Sequence, residues 1–282
     1  MATDYLPKKN ADGQAIIEMT DAQKYVFDLR GWICLPALID EDTCGDIRKH
    51  LNKIAEDPEQ LPENERHMFA GVSEPLLDHP VIVGICNELI SHQPVADEDH
   101  YGFRYDHGFL SIRQEGHENF SPHGGGGLLH FAGDSHMYQH QPGKVFAGLL
   151  RVVWELNEVR HGDGTLLLSG SHKTAFERPK DDVVCGRDSE LWHTYSCPPG
   201  SVLIFTEALC HSGSTWTNSD WDRVSLFSCY NTMGCRWAKG RPSDAVLNAY
   251  KSKRQSLFRG VWTGAGEGES VNKFIAPDNV SL

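Results

Sequence analysis

Hydrophobic and polar positions change their spacing once along the chain, near residue 100. Before that point, apolar residues recur three and four positions apart, as in amphipathic helices. The clearest such segments are TDAQKYVFDLRG at 20–31, DEDTCGDIRKHLNKIAED at 40–57 and EPLLDHPVIVGICNELI at 74–90. Thr20 is placed to cap the first helix and Gly31 to end it. We therefore predict a mostly helical region over residues 1–100, interrupted by a short strand in GWICLPALI.

After residue 100, short aromatic and β-branched runs alternate with Gly, Pro, Asn and Asp. This pattern predicts strands, and the runs are YGFRYDHGFLSIRQEG, KVFAGLLRVVWELNEV, GTLLLSGSH, GSVLIFTEALCHSG and RVSLFSCYNT. The fold class that fits best is mainly β with flanking helices, a jelly-roll barrel with one sheet covered by the early helices.

We find no linker long enough to separate two domains, so we predict a single domain over residues 1–282. Its parts would be a helical cover at 1–100, a β-barrel core at 101–240 and a C-terminal extension at 241–282. The extension could close over the barrel mouth as a lid, or it could be a frayed end.

Composition excludes several classes of protein. The chain is 39% hydrophobic with twelve Phe, eight Tyr and seven Trp, which is enough for a real core. Its net charge of −13 and its lack of basic clusters argue against a nucleic-acid partner. No apolar run approaches about 18 residues, so we expect no membrane partner. Eight scattered cysteines without a C-x-x-C pair favour reduced thiols and a cytoplasmic location. None of this specifies an oligomeric state.

Histidines are concentrated in the middle of the chain, where seven of the fifteen lie between residues 100 and 140. Neutral imidazole is a common ligand of transition metals. His130 lies in HFAGDSH, His211 follows an apolar strand, and Arg223 opens the next strand twelve residues later. Antiparallel pairing would bring Arg223 close to a metal at His211, where it could grip the carboxylate of a chelating ligand. A surface ion pair with Asp220 or Asp222 is an equally simple role for Arg223.

Several segments together resemble the phytanoyl-CoA dioxygenase family of iron(II)- and 2-oxoglutarate-dependent oxygenases. They are GGLLHFAG, RVVWELNEV, GDGTLLLSGSHK, GSVLIFTEALCHSG and DRVSLFSCY, with FRYDHGFL and GWICLPALI similar to earlier blocks of the family. The resemblance extends from about residue 20 to about residue 240. Each segment alone is weak, but the order of the set is fairly specific.

This resemblance implies a double-stranded β-helix of the cupin-like kind that binds Fe(II) through two histidines and one carboxylate. By position His130 would be the first ligand and His211 the last, while Arg223, helped by Ser225, would bind the distal carboxylate of 2-oxoglutarate. Such a ligand set leaves three positions on iron for the oxoacid and O₂. The implied function is hydroxylation of a C–H bond in a small organic substrate.

The carboxylate ligand departs from the family pattern. Residues i and i+2 of a strand lie about 6.6 Å apart on one side, close enough to share an ion, but the residue two after His130 is Ala132. On a continuing strand Asp134 would be about 13 Å from His130, which is too far. Gly133 could turn the chain and bring Asp134 back toward the metal. Asp134 could equally cap that turn.

Three alternatives remain at this site. The position at Ala132 could stay open for a halide, which the resemblance associates with 2-oxoglutarate-dependent halogenases and which would make chloride a further ligand. His123 in PHGGGG could replace His130 as the first ligand, with Gly125 in the place of the acid. The chain could also be a non-catalytic, cupin-like protein that binds a small molecule.

Arg104 and Asp106 alternate along a predicted strand and therefore share one of its faces. We consider two roles for them, contact with the substrate and a salt bridge in the wall of the pocket.

Overall fold

The computed structural model describes residues 6–125, 136–176, 178–179 and 185–261. Its helices are α1 (Asp21–Arg30), α2 (Glu41–Glu56), α3 (Pro80–Leu89), α4 (Asp244–Ala249) and α5 (Ser252–Gln255). Its strands are β1 (Trp32–Leu35), β2 (Phe103–Arg113), β3 (Gln139–Gln141), β4 (Lys144–Phe146), β5 (Leu150–Glu155), β6 (Thr165–Leu167), β7 (Ser201–Thr206), β8 (His211–Gly213) and β9 (Arg223–Thr232). Short 3₁₀ segments connect several of them, the longest being Gly71–Asp78.

Helix α1 forms where its end signals predict it. The Thr20 side chain accepts a hydrogen bond from the Gln23 N–H, and the Gln23 side chain accepts one from the Thr20 N–H, a complete capping box. Gly31 ends the helix at φ 82°. A Cβ at this position would also lie 2.6 Å from Nδ1 of His172, so conformation and space both favour glycine.

The third predicted helix begins later than its apolar pattern suggests. Only Pro80–Leu89 is α-helical, and the residues before it form the 3₁₀ segment Gly71–Asp78. Proline keeps the residue before it out of the helical conformation, and His79 is indeed non-helical at ψ 137°. His79 therefore caps α3, with its Nδ1 accepting from the Val81 N–H at 3.4 Å.

A five-stranded sheet in the order β1-β7-β5-β9-β2 forms most of the β-structure. Strand β7 pairs antiparallel with β1 and with β5, and every residue of β5 and β7 is buried. Their apolar side chains pack with those of neighbouring segments in a cluster that includes Trp32, Val153, Leu203, Phe205 and Phe227. Strands β6 and β8 form a separate antiparallel pair, with Leu167 opposite His211.

Contacts between residues divide the chain into two compact units. One comprises Thr20–Lys49 and Gly108–Ser228, and it contains β5–β8 and the described residues of the candidate iron and 2-oxoglutarate sites. The other comprises His50–His107 and the described residues before Thr20 and after Ser228. Within it, the buried Arg254 donates to Asp12, Glu74 and Asp78. The single domain inferred from the sequence stays a prediction.

In the portions of the chain described, no helix combines the length and the apolar character needed to cross a membrane.

Candidate active site

Two imidazoles meet where the segment before residue 126 runs beside β8. The backbones of His123 and His211 form an antiparallel bridge, each N–H donating to the other's carbonyl oxygen at 3.0 and 2.9 Å. Their ring centroids are 4.1 Å apart, and His211 is buried whereas His123 is exposed. The structure thus brings His211 together with His123, the alternative first ligand. His130 lies outside the described residues.

Both rings are held by the same kind of hydrogen bond. Nδ1 of His211 lies 2.8 Å from the carbonyl oxygen of Leu209, and Nδ1 of His123 lies 2.7 Å from that of Ser121. A carbonyl oxygen can only accept, so each Nδ1 carries a proton, and in the neutral ring the lone pair is on Nε2. Metal-binding histidines are commonly oriented in this way. Burial lowers the pKa of His211 to about 4, which keeps its ring neutral at physiological pH.

A buried carboxylate that the sequence reasoning missed lies beside His211. Oε2 of Glu207 is 3.8 Å from Nε2 of His211, while its Oε1 accepts from Nε of Arg151 at 2.5 Å. Burial alone would raise the pKa of Glu207, but the charge and hydrogen bond of Arg151 outweigh burial and lower it to about 2. The sequence signal is an acid at the end of an apolar strand, four residues before His211.

Gly125 cannot supply an acid two residues after His123. Its φ is +72°, and a Cβ there would lie 2.7 Å from Cβ of Cys210. Over the described ranges, no three His, Cys, Asp or Glu side chains are already arranged to hold a metal ion. Ala132 and Asp134 fall outside these ranges, so the roles assigned to them, including the halide position, stay predictions.

Arg223 is fully buried and binds a carboxylate of the chain itself. Its Nε donates to Oε2 of Glu155 at 3.1 Å, and its Nη2 donates to Oε1. The hydroxyls of Ser225 and Tyr195 also donate to this carboxylate, each at 2.6 Å. Burial alone would raise the pKa of Glu155, but Arg223 keeps it below its ordinary value. The partner of Arg223 is therefore Glu155 rather than Asp220, which pairs with Arg160.

The surroundings of Arg223 still fit a second carboxylate. Its Nη1 is buried and has no hydrogen-bond partner among the described residues. Arg113 is also buried, and its pKa falls to about 10, mainly through burial and then through the charge of Arg223. Two guanidiniums thus share the charge of Glu155. An anion with hydrogen-bond acceptors would compensate the excess positive charge and the unsatisfied N–H.

Arg104 and Asp106 belong to the other unit and interact with its backbone. Asp106 accepts from the backbone N–H groups of Trp237 and Ala238 at 2.8 and 2.9 Å and from Nδ2 of Asn231 at 3.1 Å. Nη1 of Arg104 lies 3.7 Å from Oδ2 of Asp106. Of the two roles considered for Arg104 and Asp106, these contacts support the salt bridge. A role in substrate binding stays a prediction.

Comparisons with known proteins identify the family and the fold. The family model of phytanoyl-CoA dioxygenase (PhyH) matches residues 27–224. No curated protein matches the chain. Among solved structures, the chain is similar to HygX from Streptomyces hygroscopicus with nickel, 2-oxoglutarate and hygromycin B bound, with a TM-score of 0.62 and 18% identity over 78% of this chain and 90% of that one.

A second similar structure is the non-heme alpha ketoglutarate dependent carbocyclase SnoK from nogalamycin biosynthesis, with a TM-score of 0.53 and 12% identity over 87% of this chain and 94% of that one. A third is EctD from S. alaskensis in its apo form, with a TM-score of 0.50 and 16% identity over 83% and 84%. These likenesses confirm the predicted fold class, a jelly roll of the cupin-like kind with flanking helices. Because the matched region spans well over half of the 282 residues, the chain belongs to the phytanoyl-CoA dioxygenase family of iron- and 2-oxoglutarate-dependent oxygenases, and it is an oxidoreductase.

Proposed function

We propose that this protein is an iron(II)- and 2-oxoglutarate-dependent dioxygenase that uses O₂ to hydroxylate a C–H bond of a small organic substrate. The observation that carries the proposal is the pair of imidazoles at His211 and His123, each with its Nδ1 bound to a backbone carbonyl. HygX, which shares the fold, was solved with hygromycin B bound, and this supports a small molecule as the substrate.

Iron(II) would be held by Nε2 of His211 and by a second imidazole. The sequence predicts His130 for that role, and the position of His123 beside His211 supports His123 instead. When bound, the iron supplies the centre at which the oxoacid and O₂ react. The chain keeps the His211 ring neutral through burial, and Phe205 packs against that ring at 4.7 Å between centroids.

The distal carboxylate of 2-oxoglutarate would bind at Arg223 through its unsatisfied Nη1, with Arg113 contributing the second positive charge. Glu155 keeps the other side of the Arg223 guanidinium fixed. Ser225 then acts indirectly, because its hydroxyl donates to Glu155. We therefore assign Ser225 to positioning Arg223 through Glu155 rather than to direct contact with the co-substrate.

The proposal is tested by turnover of 2-oxoglutarate without added substrate. We expect the purified chain to form succinate slowly in air, only when both Fe(II) and 2-oxoglutarate are present, and we expect His211→Ala to form none. A wild-type chain that forms no Fe(II)-dependent succinate, with or without candidate substrates, would overturn the proposed function.

A further inference from the structure

We propose that a cavity next to the two imidazoles binds the substrate, and that this substrate is a compact molecule with an apolar body and one anionic group. The inference rests on the proposed function, because it names the substrate class of the same site. The cavity has a volume of about 530 Å³, which is within the range of pockets that enclose small organic ligands.

The cavity adjoins the end of the small sheet at which the imidazoles lie. The four residues after β6, 168–171, line it, and so does Gly125, two residues after His123. The N–H of Cys210, the residue before β8, donates to the hydroxyl of Ser171 at 2.7 Å. The cavity therefore begins at the backbone segments that carry both imidazoles.

Most of the cavity wall is apolar. Carbon and sulfur surface comes from Leu168, Phe176, Pro179, Cys185 and Leu191. Phe176 is 86% exposed and Leu191 is 51% exposed, although both are large apolar residues. Exposed apolar side chains around a concave surface are typical of ligand sites, because a ligand removes them from water. We therefore expect the body of the ligand to be apolar.

Arg178 supplies the charge of the cavity. It is the only Lys, Arg, Asp or Glu among the described lining residues, and it is half-buried. Its Nη2 donates to the carbonyl oxygen of Pro122 at 3.2 Å, and no carboxylate in the described part of the chain forms an ion pair with it. A guanidinium beside apolar surface favours an anion, and its fork suits a carboxylate, sulfonate or phosphate group.

The single guanidinium also separates this ligand from a coenzyme A thioester, the kind of molecule after which the family is named. Such a thioester carries several phosphate groups, and protein sites hold phosphates with cations or with clustered N–H donors. The described wall of the cavity offers one cation. The cavity therefore suits a small organic acid rather than a coenzyme A thioester.

Two fluorescent probes that differ by one charged group test the inference. Anilinonaphthalene sulfonate has an apolar body and a sulfonate, and N-phenylnaphthylamine has the same body without the sulfonate. We expect the metal-free wild-type chain to bind both with saturable fluorescence. Arg178→Gln should weaken binding of the sulfonate at least about tenfold and leave the affinity for N-phenylnaphthylamine unchanged.

A matched pair of leucines tests the apolar wall. Leu191→Ser should weaken the binding of both probes at least about threefold, because it removes apolar contact surface. The control is Leu29→Ser on α1, since Leu29 is 58% exposed but does not line the cavity. Its affinities should equal those of the wild type. Absence of binding to the wild type, unchanged sulfonate affinity in Arg178→Gln, or equal weakening by the two serine variants would overturn the inference.

A paramagnetic ion tests how close the cavity lies to the proposed metal site. Mn(II) should broaden the proton NMR signals of bound N-phenylnaphthylamine in the wild type but not in His211→Ala. Equal broadening in both, or none in a wild type that calorimetry shows to bind Mn(II), would contradict this placement. Failure of the proposed function is distinguishable, because then no succinate forms although the probe affinities still change in Arg178→Gln and Leu191→Ser.

Discussion

At the residue scale, the carboxylate of Glu155 binds one side of the Arg223 guanidinium, which the sequence assigns to 2-oxoglutarate. Glu155 is the single charge within the apolar run VVWEL, and a carboxylate buried in such a run needs a partner. Its identity depends on β9 lying next to β5 in the sheet. Local periodicity carries no information on such a neighbour, so Arg223 could be predicted as functional but its pairing could not.

Removing Glu155 should therefore destabilise the fold. We expect Glu155→Ala to lower the free energy of unfolding by about 3–5 kcal/mol, because it leaves Arg223 buried without a counter-ion. Urea denaturation measures the change. The control is the double variant Glu155→Met with Arg223→Met, which removes both charges and should recover much of the loss. A single variant as stable as the wild type would contradict the buried pair.

His172 gives a second prediction at this scale, on pH. Burial lowers its pKa to about 4 from 6.5, and its Nε2 lies 3.1 Å from the carbonyl oxygen of Asp28. The unfolded chain therefore takes up this proton more readily, so stability is full above pH 6.5 and falls as the pH drops toward 4. The whole effect is roughly 3 kcal/mol.

We expect His172→Gln to make the free energy of unfolding less dependent on pH across this window. The number of protons taken up on unfolding should fall by about one. Denaturation midpoints at several pH values between 4 and 7 measure the slope. The slope that remains should come from other buried histidines, such as His67, whose pKa burial also lowers to about 4. An unchanged slope in His172→Gln would contradict burial as the cause.

At the scale of elements, helix-end signals and residue composition predicted where helices and strands form. They did not predict which segments pair with one another. Thr20 and Gly31 set both ends of α1, and the β-rich runs contain β2 and β4–β9. The bridge between His123 and His211 joins segments 88 positions apart, and nothing local specifies it. For this reason the sequence left His123 and His130 as alternatives, and it missed Glu207 altogether.

The close packing of Gly125 against Cys210, the residue before β8, can be tested with a matched glycine. Gly125 and Gly116 have φ of +72° and +77°, but only Gly125 meets a neighbour, at 2.7 Å from Cβ of Cys210, while Gly116 has open space. Alanine at either position costs about 1–2 kcal/mol for the left-handed backbone. We expect Gly125→Ala to lose clearly more stability than Gly116→Ala in urea denaturation. Equal losses would contradict the close contact.

At the scale of the whole molecule, the fold class and the family could be predicted because they depend on the order of motifs. The spacing of His211 and Arg223 on successive strands was visible in the sequence and identified the region that holds both candidate sites. The set of metal ligands was not visible in the sequence, because it depends on which strands lie side by side. The central claim is that His211 binds iron and that Arg223 binds the 2-oxoglutarate chelating it.

Absorption spectroscopy under anaerobic conditions tests that claim most directly. Adding Fe(II) to the chain with 2-oxoglutarate should produce the charge-transfer band of an iron-bound oxoacid. His211→Ala should abolish the band, and Arg223→Lys, which keeps the charge beside Glu155 but loses the guanidinium fork, should require at least about tenfold more 2-oxoglutarate to reach it. A band of unchanged intensity and unchanged 2-oxoglutarate dependence in both variants would contradict the account.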